Sequence, residues 1–264
     1  MTVWFMYIAL GAFVGILAGL LGVGGGLVIV PVLTFIFTSQ HLSDAHTLHL
    51  ALGTSLATII FTSISSLRAH HLRGAVDWTV VRRISFGILV GTFGGSCIAA
   101  QLSTHFLKVF FVIFIFYVAT RMLLNIKSKP HRQLPGRTGM FGAGGVIGVI
   151  SSLAGIGGGS MSVPFLIWCN VAIHRAIGTS AAIGLPIALA GALGYVINGL
   201  SAKLPPYSLG FVYLPALLGI SVASIVTAPL GARLAHSLPI DKLKKIFALL
   251  LIVMGSKMLL SLWS

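Results

Sequence analysis

Acidic side chains are almost missing from this chain. Asp44, Asp77 and Asp241 are the only three, there is no glutamate, and charged residues make up 8% of the 264 positions, far below the quarter found in soluble domains. So few carboxylates leave no room for glycosidase-like acid–base pairs. Cysteine is as scarce. Cys97 and Cys169 each lie in an apolar run, where a lone thiol is a small buried side chain and implies neither a disulfide nor a redox compartment. The first lysine or arginine is Arg68, so the start lacks the basic region of a cleaved secretory signal and reads as a retained first membrane segment. No Walker motif is present, and ATP hydrolysis within this chain is not supported.

What is abundant is apolar. Hydrophobic residues make up 57%, glycine contributes 32 residues and the mean hydropathy is +1.05. These values predict an all-α polytopic membrane protein, since helices are the practical spanning elements for long apolar runs. Eight runs fall at about 3–37, 48–67, 79–103, 106–126, 139–171, 177–198, 208–235 and 243–263. The first and fifth exceed one simple crossing and are interrupted by glycines, which predicts two half-helices joined by an irregular turn. A net charge of +14 would suggest nucleic acid in a soluble protein. Here the basic residues sit mostly between apolar runs, so they report membrane topology and lipid contact, and no nucleic-acid partner is expected.

The chain repeats itself. A shift of 133 places Gly11, Gly15, Gly22, Gly24, Gly25, Gly26 and Pro31 on Gly144, Gly148, Gly155, Gly157, Gly158, Gly159 and Pro164. A shift of 125 places HLALGTS (49–55) on HRAIGTS (174–180), and one of 136 places LKVFF (107–111) on LKKIF (243–247). Three ordered matches predict two homologous membrane repeats, 1–126 and 139–264, joined by a basic linker at 127–138, as in secondary transporters. With eight simple crossings and a cytoplasmic amino terminus, eleven lysines and arginines fall inside and six outside, which favours both termini inside. If the interrupted segments return to their starting side, the parity changes and the repeats become inverted.

The two glycine turns are the strongest candidates for ligand contact: Gly22, Gly24, Gly25 and Gly26, and Gly155, Gly157, Gly158 and Gly159 with Ser160. Glycine lets a ligand approach backbone amides closely. A half-helix starting at such a turn points its free N–H groups and positive dipole end at the break, so an anion can be held without a buried cation. Close helix packing is the competing explanation, but it requires small residues every fourth position, as at Gly11, Gly15 and Gly19, and not three in a row. A dinucleotide fingerprint would need a preceding strand and a following acid, which the flanks do not offer. Thr54 and Ser55, and Thr179 and Ser180, place hydroxyls near the start of the second and sixth runs, where they can donate to an oxyanion or bond back to helix carbonyls. His49 and His174 precede the two Gly-Thr-Ser triplets by four residues and are candidates for proton or anion relay, or for amphipathic helix ends. His41, His46 and His49 with Asp44 would suit a divalent-metal permease, but only the last histidine recurs in the second half. Ser55, Ser160 or Ser180 with His49 or His174 would suit an intramembrane serine hydrolase, against which the duplication argues. No metal, cofactor or catalytic residue is assigned. Asp77 is expected to pair with a neighbouring arginine.

The segments at 11–33, 49–59, 73–78 (RGAVDW), 153–166 and 174–182 resemble the sulfite exporter TauE/SafE family, the TSUP permeases, over essentially the whole chain. That resemblance implies a bacterial inner-membrane permease of about eight helices, and not an enzyme. It would move small sulfur-containing anions such as sulfite, thiosulfate or organosulfonates, with an ion or proton as possible coupling partner. Ser152, Ser160 and Ser162 stand where the first half has Gly19, Leu27 and Ile29, so the second half is expected to supply more of the polar contacts.

Overall fold

A computed structural model describes residues 2–22, 24–43, 45–124, 132–234 and 240–262. Residues 127–131 of the linker and Asp44 lie outside the described residues. Among these are ten helices: α1 (Thr2–Leu21), α2 (Gly26–Ser39), α3 (Thr47–His71), α4 (Trp78–Gln101), α5 (Thr104–Leu123), α6 (Arg137–Ala154), α7 (Gly159–Trp168), α8 (Ile173–Gly199), α9 (Leu214–Leu234) and α10 (Ile240–Leu260). A small antiparallel hairpin, β1 (Ser208–Leu209) and β2 (Val212–Tyr213), precedes α9. Six helices, α1, α3, α4, α5, α8 and α9, are long and apolar enough to cross a membrane. The protein is therefore an all-α polytopic membrane protein.

The two over-long runs divide where the glycines stand. Gly22, Gly24 and Gly25 have φ of 65°, 73° and 78°, and Gly155 and Gly158 have 61° and 74°, a region where a Cβ would collide with the backbone. These turns do more than interrupt a helix. Gly25 lies against Val14, two to three turns back in α1, and Gly158 lies against Ser151 and Ile147 in α6, so the chain reverses at each break. Each half of the described chain thus carries five helices, its over-long run being divided into two at the glycine turn, where the sequence suggested a break. The half-helices end alike, in a 6→1 closure. Leu42 N–H donates to Phe37 C=O at 3.1 Å and Val171 N–H to Leu166 C=O at 3.0 Å, around His41 and Asn170 in the left-handed region. At 10 residues against 14, α7 is a turn shorter than α2, which accounts for half of the drop in repeat shift from 133 to 125.

Helix directions follow from close approaches. On α3 and α8, a Cβ on Gly53 would face Tyr195, one on Gly191 would face Leu56, and one on Gly184 would face Ser63, so these equivalent helices run antiparallel and cross near their middles. The two halves are related by inversion. They are also exchanged: α1 runs parallel to α9, with Gly11, Gly15 and Gly19 seated on Ile220, Ser224 and Ala228, and α6 runs parallel to α4, with Gly87, Gly91 and Gly95 on Phe141, Gly145 and Val149. Small residues every fourth position let these backbones touch, the usual basis of helix association in lipid. Polar caps start two helices: the Asp77 carboxylate accepts Thr79 and Val80 N–H at 3.0 and 3.2 Å, and Ser103 Oγ accepts Phe106 N–H at 3.2 Å. Asp77 is thus a helix cap, not the arginine partner the sequence suggested.

Candidate functional site

The two Gly-Thr-Ser triplets make matching bonds across the inverted halves. Thr54 Oγ1 accepts the N–H of Tyr213 at 2.9 Å, and Thr179 Oγ1 accepts the N–H of Asp77 at 2.9 Å. A Cβ on Gly53 would stand 2.9 Å from the carbonyl carbon of Phe211, and one on Gly178 would stand 2.9 Å from that of Ala75. Both glycines admit the opposing connection. The serines reach the opposite glycine turn: Ser55 Oγ donates to Gly155 C=O at 2.7 Å, and Ser180 Oγ donates to Gly22 C=O at 3.2 Å while lying 2.7 Å from Ser162 Oγ. Each helix break is therefore tied to the other half through its first glycine carbonyl. All four hydroxyl residues are fully buried, where an unmatched carbonyl would be costly.

The breaks also touch one another. A Cβ on Gly24 would lie 3.1 Å from Gly157 Cα, and one on Gly26 would lie 2.8 Å from Ile156 Cα. Beside this contact is a cavity of about 10 Å³, lined by Ala18, Gly22, Gly24, Thr62, Ser63, Ser66, Gly157, Ala181 and Gly184, room for about one water molecule. It lies where α3 and α8 cross. The space exists on one side because Gly184 has no side chain: a Cβ there would sit 2.9 Å from Ser63 Oγ and 3.3 Å from Gly157 C=O. The matching position of the first half is Ile59, which packs by Gly24.

Of the residues singled out from the sequence, Gly22, Gly24 and Gly157 line this cavity. Gly25 and Gly158 are the left-handed caps of α2 and α7, and Gly26 and Gly159 begin those helices. Gly155, Thr54, Ser55, Thr179 and Ser180 form the ties between halves. Ser160 is a buried hydroxyl without a partner in the first turn of α7. His49 lies at the far end of α3, its Nε2 at 3.1 Å from both Ala99 and Leu102 carbonyls and its ring tilted by 33° against that of Phe211, with centroids 5.1 Å apart. There it closes the end of α4. His174 is exposed at the start of α8. Neither histidine lines the cavity or stands by Ser55 or Ser180 as a base. Among the described residues no group of three histidines, cysteines or acids is close enough to hold a metal.

The sequence reading missed the buried polar face of α3. Thr54, Thr58, Thr62, Ser66 and His70 recur every fourth position and are all buried, a continuous polar stripe inside an apolar bundle. Thr58 Oγ1 donates back to Thr54 C=O at 2.7 Å, Thr62 Oγ1 lies 2.9 Å from Ser224 Oγ on α9, and His70 Nε2 lies 3.0 Å from Gly19 C=O. The α8 positions equivalent to Thr58, Thr62 and Ser66 are Ile183, Ile187 and Gly191. Polarity at the cavity therefore comes from the first half, opposite to the expectation drawn from Ser152, Ser160 and Ser162.

A model of the sulfite exporter TauE/SafE family matches residues 7–258. The chain is 40% identical to a probable membrane transporter protein of Haemophilus influenzae, over 95% of this chain and 96% of that one. It is 29% identical to a probable membrane transporter protein of Methanocaldococcus jannaschii, over 97% and 95%. It is also 30% identical to the probable membrane transporter protein YunE of Bacillus subtilis, over 73% and 78%. No solved structure matches.

Proposed function

The chain belongs to the sulfite exporter TauE/SafE family, and from that premise we propose that it carries a small sulfur-containing anion, such as sulfite, thiosulfate or an organosulfonate, through the cavity between its two glycine breaks. It is a multi-pass transporter of the cytoplasmic membrane and not an enzyme. The observation that carries the anion reading is the convergence of α2 and α7. Both begin at left-handed glycines beside the α3–α8 crossing, with no side chain capping their first N–H groups. Paired half-helix starts at a repeat interface suit an anion at mid-membrane.

Eight spanning helices, with α2 and α7 as half-helices that turn back, give two inverted repeats divided near residues 126 and 139. In that arrangement, among the described residues, one end of the bundle receives Arg68, Arg73, Arg82, Arg83, Arg121, Arg132, Arg137, Arg175, Arg233, Lys242, Lys244 and Lys245, while the other receives Lys108, Lys203 and Lys257. Twelve against three is a far sharper bias than the nine against six that eight simple crossings give for the same residues. The basic end faces the cytoplasm, which places both termini outside, the reverse of the orientation that eight simple crossings favoured. Alternating access consists of one repeat moving against the other, because a cavity of about 10 Å³ is too small to hold an anion such as thiosulfate in the closed form.

The test is uptake of labelled sulfite, thiosulfate and taurine into proteoliposomes of the purified protein, with chloride and phosphate as competitors. Saturable flux of one sulfur anion, weakly inhibited by chloride and phosphate, is the expected result. Flux of none of the three in sealed vesicles of correctly inserted protein would overturn the assignment.

A further inference from the structure

The polar stripe of α3 meets the cavity at Thr62 and Ser66. Thr54 is committed to the Tyr213 amide, Thr58 to the Thr54 carbonyl and Thr62 to Ser224. Ser66 differs: it is 2% exposed, lines the cavity, and its Oγ has no hydrogen-bond partner among the described residues. A serine in a helix usually returns its proton to the carbonyl four residues back, as Thr58 does, and a buried hydroxyl left unmatched calls for an explanation. One turn away, Ser63 is 3% exposed and faces the gap left by Gly184, opposite the Gly157 carbonyl.

We propose that Ser63 and Ser66 are the side-chain contacts of the transported oxyanion, with Thr62 as a positioning residue held from α9 by Ser224. This rests on the anion reading above and adds residues which that reading does not name. The chemistry is that of neutral donors. Two hydroxyls on the α3 wall face the glycine turns across the cavity, and none of the nine lining residues is ionisable. A hydroxyl can serve as donor to an oxygen-bearing anion, while a divalent cation would call for the carboxylates and imidazoles that the lining lacks. The specificity therefore favours a compact ion with several oxygens over chloride.

The experiment compares Ser63→Ala, Ser66→Ala and Ser221→Ala in proteoliposomes, using whichever sulfur anion the wild type carries. Ser221 on α9 is also buried with an unpartnered Oγ but does not line the cavity. A lost hydrogen bond to a charged group corresponds to roughly 10- to 150-fold, so KM should rise by about that factor in the Ser63 and Ser66 variants, and kcat should change much less. Ser221→Ala should keep the wild-type KM. In Ser66→Cys, the transported anion should slow modification by a small thiol reagent, a readout that a merely structural serine would not give. Wild-type KM in both alanine variants, or absence of protection, would overturn the proposal while leaving anion transport standing. A wild type that carries no anion would instead remove the reading beneath it.

Discussion

Removing the Ser55 hydroxyl isolates one half of the symmetric tie between the repeats. Its 2.7 Å bond to Gly155 C=O is formed between residues without solvent access, and Ser55→Ala leaves that carbonyl without the donor. An orphaned buried acceptor costs about 1–3 kcal/mol, which is roughly a 5- to 160-fold change in the equilibrium that holds the break in place. In a chain of this size, that lowers the thermal midpoint by about 2–12 °C. Ser180→Ala should cost less, because the Ser180 bond to Gly22 is longer, at 3.2 Å, and Ser162 Oγ stands 2.7 Å from the removed atom. The assay is thermal unfolding of both purified variants in one detergent, beside their initial rates of anion flux. A Ser55→Ala protein that melts with the wild type, or a larger loss in Ser180→Ala, would refute the tie as described.

Three further outcomes follow from the packing and the charge. Gly91→Leu should prevent accumulation of folded protein, because a Cβ there meets Gly145 Cα at 2.7 Å on the α4–α6 seam, whereas Gly94→Leu, with nothing within 4 Å, should be tolerated; equal expression and melting would contradict the seam. In a background without Cys97 and Cys169, a membrane-impermeant maleimide on intact cells should label Lys203→Cys and not Arg73→Cys, both positions being exposed; the opposite pattern would invert the proposed orientation. Because no ionisable side chain lines the cavity among the described residues, transport should carry net negative charge. A potential of 100 mV is worth about 2.3 kcal/mol per charge, so a valinomycin-imposed potential should sustain an anion gradient of about 50-fold per charge. Indifference to the potential would require a compensating ion.

Much of this architecture is written locally. Three consecutive glycines at 24–26 and again at 157–159, each followed by a proline, announce a break in any helix. Gly11, Gly15 and Gly19 announce a helix seam. Direction is not local. Whether the chain continues or reverses after Gly25 depends on the left-handed φ of its neighbours and on the room beside Val14, and no periodicity records either. That one ambiguity reverses the parity of the repeats and with it the assigned side of both termini. The candidate site shows the same division. Gly22, Gly24 and Gly157 could be named from composition, but Thr54, Ser55, Thr179 and Ser180 carry the same hydroxyls whether they face a ligand or a backbone group of the other half. The stripe at 54, 58, 62, 66 and 70 was visible as a four-residue spacing. The internal repeat does not mark it, since its counterpart on α8 is largely apolar.

The exchanged seams bear on how the protein is made. As the chain leaves the ribosome, the glycine face of α1 enters the bilayer with no partner, and α9, on which Gly11, Gly15 and Gly19 rest, begins at Leu214, roughly two hundred residues later. Over that interval, about ten seconds or more at ordinary elongation rates, lipid or another part of the insertion machinery must cover the uncovered face. The second half pairs its own opening helix at once, because α4 is already in place when α6 arrives. A chain truncated before α9 would therefore hold a finished α4–α6 seam and an open α1, so the last fifth of the sequence decides whether the first helix is kept.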